Sequence, residues 1–249
     1  MFAIYKKEMR SYFISPIGYI FVGVFLAVSA YLCCTHTIGA RSYATGMYFQ
    51  QLLLTFIILI PLLTMRLFAE EKKLRTEQLL LTAPVSIWGM VLGKFLAAVT
   101  LFVSCVLVSC VNFIPLYVYA ARERGADTSV KLYEMGPATG EIIACVLGVI
   151  LVGIAFIAIG MFISSLTENQ LSSAVVTIVV LAIMLLLDMA KKQIQNPVIN
   201  FITHWVSVMS RFTNFMHGLF DYAALLYYIS IAGVFLLLTV RVYDKRRWG

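Results

Sequence analysis

Six long apolar runs constrain this chain more than any other feature of its sequence. They lie at about 17–35, 51–69, 88–119, 141–164, 170–190 and 223–242. About 20 apolar helical residues cross the hydrocarbon core of a bilayer, and only helices or closed barrels satisfy the backbone there. The runs are continuous and lack the alternation of barrel strands. The sequence therefore predicts an all-α integral membrane protein with six transmembrane helices in a single domain, 1–249.

The composition indicates which solvent the surface faces. Hydrophobic residues make up 61% of the chain and charged residues 12%, which leaves a soluble domain too little polar surface to cover its core. Lys and Arg number 19 against 12 Asp and Glu. In a membrane protein that excess is first a signal of topology, so we expect membrane lipids, and no nucleic acid, among the partners.

The positions of the basic residues predict the orientation. With the N-terminus inside, Lys94 and the basic groups at 6–10, 66–75 and 241–247 are cytoplasmic, whereas the outer Lys and Arg are diluted over longer loops. The positive-inside rule then places both termini of a multi-pass protein on the cytoplasmic side of the cell membrane. A charged amphipathic segment precedes the first run, which argues against a cleavable signal peptide.

Two segments outside the runs have the periodicity of amphipathic helices. Residues 1–15 place aromatic and apolar side chains on one face and Lys6, Lys7 and Arg10 on the other. This pattern predicts a helix in the inner interface, with its basic face toward anionic headgroups. Residues 195–222 repeat apolar side chains every three or four positions but are too polar to span, which predicts an amphipathic helix at the outer face.

A charged stretch at 70–87 predicts a short helix on the cytoplasmic face. Glu71 and Arg75 are placed to form an ion pair at i and i+4, and Leu74 and Leu80 give the helix an apolar side. Leucines among mixed charges on a surface helix are typical of an element that docks another protein. A solvated loop is the alternative interpretation.

No catalytic motif emerges from the sequence. Gly89, Gly93 and Lys94 resemble a phosphate-binding loop only superficially, because the glycines are one residue too close and no Ser or Thr follows the lysine. No Ser–His–Asp arrangement and no carboxylate pair within an apolar run can be assembled. We therefore expect a chain that is not an enzyme, with no catalytic residue, no cofactor and no metal of its own.

The five cysteines all lie in or at the end of predicted spans. That placement indicates apolar packing residues rather than a disulfide framework. Cys33, Cys34 and His36 at the outer end of the first run leave a second hypothesis open, a site for a soft metal such as copper.

Three stretches carry a resemblance to a known family. They are EEKKLRTEQLLLTAPVSIWGMVLGKFLAA at 70–98, ISSLTENQLSSAVV at 163–176 and RFTNFMHGLFDYAALLYYISIAGVFLLLTVRVYDKRRW at 211–248. Together they resemble type-2 ABC exporter permeases, in the branch of the gliding-motility and nitrous-oxide-reductase-maturation permeases, over nearly the whole chain. Many relatives have Gly-Thr-x-Glu-Leu-Leu at 75–80, where this chain has Arg75 in place of the glycine and Gln78 in place of the glutamate.

The resemblance implies a membrane subunit that works as a pair, with a second copy or a relative, on two copies of a separate ATPase that binds ATP and Mg. Segment 70–87 then corresponds to the coupling helix that sits in a cleft of the ATPase, and the turn at 165–170 to a second, smaller contact. The residues expected to couple to the ATPase are Glu70, Glu71, Lys72, Leu74, Arg75, Thr76, Glu77, Gln78, Leu80, Glu168 and Asn169.

The resemblance also places the two-fold interface along the second and fifth spans, where polar residues are sparse. The candidates for a translocation path are Thr55, Thr64, Ser173 and Thr177, although each could bond a carbonyl one turn back. We expect ATP-driven alternating access and an amphiphilic, lipid-like or peptide substrate for export.

Three alternatives stay open. A channel or secondary transporter should show ionisable residues or broken helices near mid-membrane, and a membrane enzyme should show an acid–base or metal cluster facing one cavity. The third alternative is an ABC-type complex of the same fold that performs mechanical work on an envelope partner.

Overall fold

The described part of the chain is built from helices alone. The structure, a computed structural model, describes residues 1–39, 43–76, 78, 86–126, 136–190 and 208–248, and no strand occurs among them. The helices are α1 Phe2–Ile14, α2 Pro16–Cys33, α3 Gly46–Thr64, α4 Ala69–Lys73, α5 Ile87–Ser109, α6 Ile114–Ala126, α7 Thr139–Leu166, α8 Gln170–Ala190, α9 Met209–Met216 and α10 Tyr222–Trp248. A π-helical turn, Cys34–Ile38, extends α2, and a 3-10 turn, Cys110–Phe113, joins α5 to α6.

Five described helical segments are long and apolar enough to cross a membrane. They are Pro16–Ile38, Gly46–Lys73, Ile87–Ala121, Thr139–Leu166 and Tyr222–Arg247. The run predicted at 170–190 forms α8, but its apolar part within the described residues, Gln170–Leu186, is shorter than a span. The all-helical membrane architecture is thus confirmed for five spans, and the sixth span stays a prediction.

Helix α7 lies at the centre of the described helices. It packs most extensively against α10 and also contacts α3, α5, α8 and α9. Its sequence is apolar on every side, which suits both its buried faces and the exposed apolar stripe that begins at Ile143 and Leu147. Gly153 and Gly160 let neighbours approach its backbone, because a Cβ there would collide with the ring of Phe102 on α5 and the side chain of Thr64 on α3.

Helix α1 forms as predicted and packs against α5 and α2. Tyr5, Met9 and Tyr12 face the rest of the protein, and Tyr12 is fully buried. Phe2 and Phe13, assigned to the same apolar face by periodicity, are instead exposed. The chain then turns at Ser15, which has extended backbone angles, and α2 begins with a proline in its first turn, where the missing N–H costs nothing.

The predicted outer amphipathic helix, 195–222, needs a correction at its C-terminal end. Residues 195–207 lie outside the described part of the chain, and α9 ends at Met216 rather than at 222. The physical reason is that Gly218 adopts φ 71°, a left-handed conformation that ends helices. Asp221 then starts α10, because its carboxylate accepts a hydrogen bond from the backbone N–H of Ala223 at 2.8 Å.

Candidate functional site

The short helix α4 is fixed to the end of α7 by one serine. The Ser164 hydroxyl oxygen on α7 accepts hydrogen bonds from the backbone N–H groups of Phe68 and Ala69, both at 3.2 Å. These are N–H groups at the start of α4, which has no intrahelical partner for them. The position of α4 is therefore set by α7 rather than by its own five residues.

The helix predicted over 70–87 is interrupted after its first turn. α4 ends at Lys73, and Arg75 adopts φ 55°. A left-handed residue stops an α-helix, and glycine adopts that conformation at least cost, so the glycine typical of the resembling permeases suits this backbone. Residues 77 and 79–85 lie outside the described residues, and with them Glu77 and Leu80.

A buried lysine lies directly behind α4. The Nζ atom of Lys94, on α5, donates to Glu8 Oε1 at 2.8 Å, to Glu71 Oε1 at 2.9 Å and to the carbonyl of Leu67 at 2.8 Å. Lys94 is 1% exposed, so its charge needs these partners to be tolerated. We call Lys94, Glu8, Glu71 and the Leu67 carbonyl the Lys94 cluster. It joins α1, α4 and α5 at one point.

The Lys94 cluster overturns one predicted ion pair. Glu71 was expected to bind Arg75, but its carboxylate points inward to Lys94, with Lys7 also 3.5 Å away. The reason is that the chain leaves the helix at Leu74, so Arg75 no longer lies one turn above Glu71. The sequence signal for this site was a lysine within an apolar run, which usually has a buried partner.

A second ion pair fixes Glu70. The Arg66 Nε atom donates to Glu70 Oε2 at 2.6 Å, and the same guanidinium donates to the Ser15 hydroxyl. The neighbouring hydroxyl of Tyr12 is enclosed by these groups. Burial, with a smaller contribution from the Glu8 carboxylate, raises the pKa of Tyr12, which therefore stays neutral. Glu70 and Glu71 thus hold α4 in place instead of facing outward.

The turn after α7 meets the α4 region. The ammonium group of Lys72 donates to the backbone carbonyls of Ser165 and Thr167, the latter at 3.2 Å. Glu168 and Asn169, the next residues of the turn, are exposed. The two segments that the sequence singled out are therefore in direct contact.

An open cleft of about 780 Å³ forms where these segments meet the end of α10. We call it the basic cleft, and its lining is Lys72, Lys73, Arg75, Gln78, Glu168, Asn169 and Arg246. Four of these side chains are cationic and one is a carboxylate. Of the predicted coupling residues, five line the cleft: Lys72, Arg75, Gln78, Glu168 and Asn169.

The other described coupling residues, Glu70, Glu71, Leu74 and Thr76, do not line the basic cleft. Leu74 lies between two lining residues in the sequence and is 64% exposed, and the Thr76 hydroxyl donates to the Glu71 carbonyl at 3.3 Å. Sequence reasoning missed Lys73 and Arg246 as members of this site. Arg246 lies far along the chain from the other lining residues, and the packing of α10 against α7 and α5 brings it there.

A comparison with protein-family models decides the family. The model described as "ABC-2 family transporter protein" matches residues 35–242, which include every lining residue of the basic cleft except Arg246. The chain belongs to this family. No curated protein matches it. ABC-2 permeases are multi-pass membrane subunits, typically not catalytic themselves, and the family implies an ABC ATPase as partner.

The four path candidates of this ABC-2 permease lie within its own helices. Thr64, Ser173 and Thr177 are buried and Thr55 is half-buried. The hydroxyls of Thr55, Thr64 and Thr177 donate to carbonyls one turn back, at 3.0, 3.0 and 2.7 Å. Each threonine thus has a local partner, and a role for these residues in a path stays a prediction.

The soft-metal hypothesis gains no support from the outer end of α2. Within the described residues, no three His, Cys, Asp or Glu side chains lie close enough to hold a metal ion. Cys34 is exposed, whereas Cys33 is buried and its sulfur lies 3.2 Å from the Thr37 hydroxyl and 3.4 Å from the Asn112 carbonyl. Cys33 is accounted for by packing against its neighbours.

Proposed function

We propose that this ABC-2 permease is the membrane subunit of an ATP-driven exporter and that its ATPase docks at the basic cleft. The observation that carries the proposal is the meeting of three parts of the chain at this one opening: Lys72, Lys73, Arg75 and Gln78, then the Glu168–Asn169 turn, and Arg246. Lys72 and Lys73 lie at the end of α4, Glu168 and Asn169 in the turn after α7 and Arg246 near the end of α10, so a protein seated in the basic cleft would contact all three segments. ATP and Mg bind to the ATPase.

The charge of the basic cleft defines the surface that fits it. An ATPase surface with carboxylates opposite Lys73 and Arg75 matches its excess of cations, and such complementarity steers and orients association. Leu74 supplies an exposed apolar side chain beside the charged groups. An apolar anchor surrounded by polar contacts is the usual arrangement of a protein interface.

Movement of the ATPase reaches the membrane helices through fixed contacts of α4. Ser164 ties α4 to α7, Lys72 ties it to the end of α7, and the Lys94 cluster ties it to α5 and α1. A push on α4 is therefore passed to two spans and to the N-terminal helix together. ATP shifts the equilibrium between two states because it binds more tightly to the closed ATPase dimer.

The assembly is a pair of permeases with two ATPases, in the cell membrane, with both termini cytoplasmic. The second permease is another copy or a relative. An exposed apolar stripe on α8, formed by Leu171, Val175, Val179, Ile183 and Leu186, supports the fifth predicted span as part of the pairing surface. The motifs at 70–98 and 163–176 support the gliding-motility and nitrous-oxide-reductase-maturation branch.

Co-purification tests the proposal. Tagged chain is extracted from native membranes in mild detergent, and the ATPase recovered with it is quantified for wild type and for Lys73→Gln with Arg75→Gln. The matched control is Lys6→Gln with Arg10→Gln, which also removes one exposed lysine and one exposed arginine. We expect the cleft variant to recover at least about tenfold less ATPase than wild type, which corresponds to a loss of about 1.4 kcal/mol of binding free energy. The control variant should recover nearly as much ATPase as wild type.

Two results would contradict the proposal. Equal recovery with a cleft variant that elutes from gel filtration like wild type would show that the ATPase docks elsewhere. No ATPase with wild type, under conditions in which it is present in the membranes, would remove the exporter assignment.

A further inference from the structure

A groove of about 590 Å³ runs along the exposed side of α1. Its polar lining consists of Lys6, Lys7, Arg10, Ser11 and Ser15, with Ile14 at the same end as the serines. We propose that this groove, the α1 groove, binds the phosphate headgroup of an anionic phospholipid. The site is separate from the basic cleft and does not depend on ATPase docking.

The charge of the α1 groove calls for an anionic ligand. None of the described residues that line it is acidic. Glu8, the acidic residue of α1, points to the opposite side and binds Lys94. Lys7 is 63% exposed and lies 3.5 Å from Glu71, so it is partly neutralised, whereas Lys6 and Arg10 are exposed cations beside it.

The serine end of the α1 groove supplies a hydrogen-bond donor. The Arg66 guanidinium donates to the Ser15 hydroxyl oxygen, and Arg66 is itself held by Glu70. A hydroxyl has one proton and two acceptor sites. Because Arg66 occupies one acceptor site of Ser15, the Ser15 proton points away from Arg66 and can be donated to another group. That proton, with Lys6 and Arg10, makes a set of donors suited to phosphate oxygens.

The surroundings of the α1 groove favour a lipid over a soluble phosphate. Ile14 is 71% exposed, and α2 begins immediately after the groove and exposes Tyr19, Ile20 and Val24 along its first turns. The segment Pro16–Ile38 is long enough to cross a membrane. The groove thus lies where a span begins, with cations for a headgroup and an adjoining apolar strip for acyl chains.

Lipid retention on the full chain tests the inference. Delipidated protein in mild detergent is mixed with phosphatidylglycerol or phosphatidylcholine of identical acyl chains, and bound lipid is counted by native mass spectrometry. Each basic residue at an anionic surface strengthens binding by about fivefold. We expect wild type to retain phosphatidylglycerol preferentially, and Lys6→Gln with Arg10→Gln to bind phosphatidylglycerol about twenty-five-fold more weakly. Lys73→Gln with Arg75→Gln, the variant of equal charge, should retain it.

A second arm uses wild type alone and so does not depend on the folding of any variant. Phosphatidylglycerol with a photoreactive acyl chain is crosslinked to the chain, and the modified peptides are mapped. Crosslinks concentrated in residues 1–24 support the inference. Equal retention of both lipids by wild type, or crosslinks that avoid residues 1–24, would overturn it. Displacement of the lipid by millimolar glycerol 3-phosphate would also overturn it and identify a site for soluble phosphate.

Discussion

At the scale of single residues, Lys94 is the common cation of two carboxylates beside α4, Glu8 and Glu71. We expect Lys94→Met to lower the free energy of unfolding by roughly 3–5 kcal/mol, because Glu8 and Glu71 are then left buried without their common cation. Unfolding in detergent, followed by intrinsic fluorescence against denaturant, measures the change.

The same experiment has an internal control. Adding Glu8→Gln and Glu71→Gln to Lys94→Met removes the unpaired carboxylates and should recover most of the lost stability. A single Lys94→Met variant as stable as wild type would show that Lys94 does not bind these carboxylates in the folded protein.

Arg75 is a second residue whose backbone can be tested directly. Its φ of 55° is left-handed, a conformation that costs an L-residue roughly 1–2 kcal/mol and glycine little. We expect Arg75→Gly to be as stable as wild type or more so, and Arg75→Val to unfold at a lower temperature, because a β-branched side chain tolerates this conformation least. Thermal unfolding in detergent compares the two. Equal unfolding temperatures for Arg75→Val and Arg75→Gly would show that residue 75 is not left-handed in the folded protein.

At the scale of elements, the packing of α7 against α5 depends on Gly153. A Cβ at this position would lie 2.2 Å from the Phe102 ring, so Gly153→Ala should force the helices apart and cost roughly 1–3 kcal/mol. Gly23→Ala is the matched control, since a Cβ there meets nothing within 4 Å, and stability should be unchanged or higher. Adding Phe102→Leu to Gly153→Ala should recover part of the loss, as measured by thermal unfolding.

The start of α10 gives a prediction that depends on pH. The Asn214 amide and the backbone N–H of Ala223 hydrogen-bond to Asp221 and lower the pKa of its carboxylate. The stabilisation is therefore present above the unfolded pKa of about 3.9 and is lost as the pH falls through the lower folded pKa. We expect Asp221→Ala to lower the unfolding temperature by about 2 °C at pH 7.

This difference in unfolding temperature between wild type and Asp221→Ala should shrink toward zero as the pH drops below about 4. Thermal scans at several pH values test it. A difference that persists unchanged at pH 3 would mean that the charge of Asp221 does not stabilise the start of α10.

At the scale of the whole molecule, the basic cleft and the start of α7 should face opposite sides of the membrane. Helix α7 has 28 residues, about 42 Å at 1.5 Å each. In a Cys34→Ser background, we expect a membrane-impermeant maleimide to label Gly140→Cys on intact cells, and Lys73→Cys and Asn169→Cys only after permeabilisation. If the maleimide labelled Lys73→Cys and Asn169→Cys from different sides of the membrane, the two residues would not lie on one face of the protein.

Much of the candidate site could be predicted because most of its residues lie in two short stretches that carry the family resemblance. The resemblance at 70–98 and 163–176 identified Lys72, Arg75, Gln78, Glu168 and Asn169, which the structure brings to one cleft. Their contact with an ATPase stays a prediction. The helix predicted over 70–87 is not continuous, because Arg75 adopts a left-handed conformation that periodicity does not reveal.

The sequence by itself determined the membrane environment, the apolar helices and the family. These follow from local properties, since hydrocarbon requires every backbone group to bond within its own segment. Only the tertiary structure decided that Lys94 meets Glu8 across 86 residues of chain and that Arg246 joins the basic cleft. A buried charge is stabilised by whichever partners the packing brings near it, and helix packing is not encoded in the spacing of any one segment.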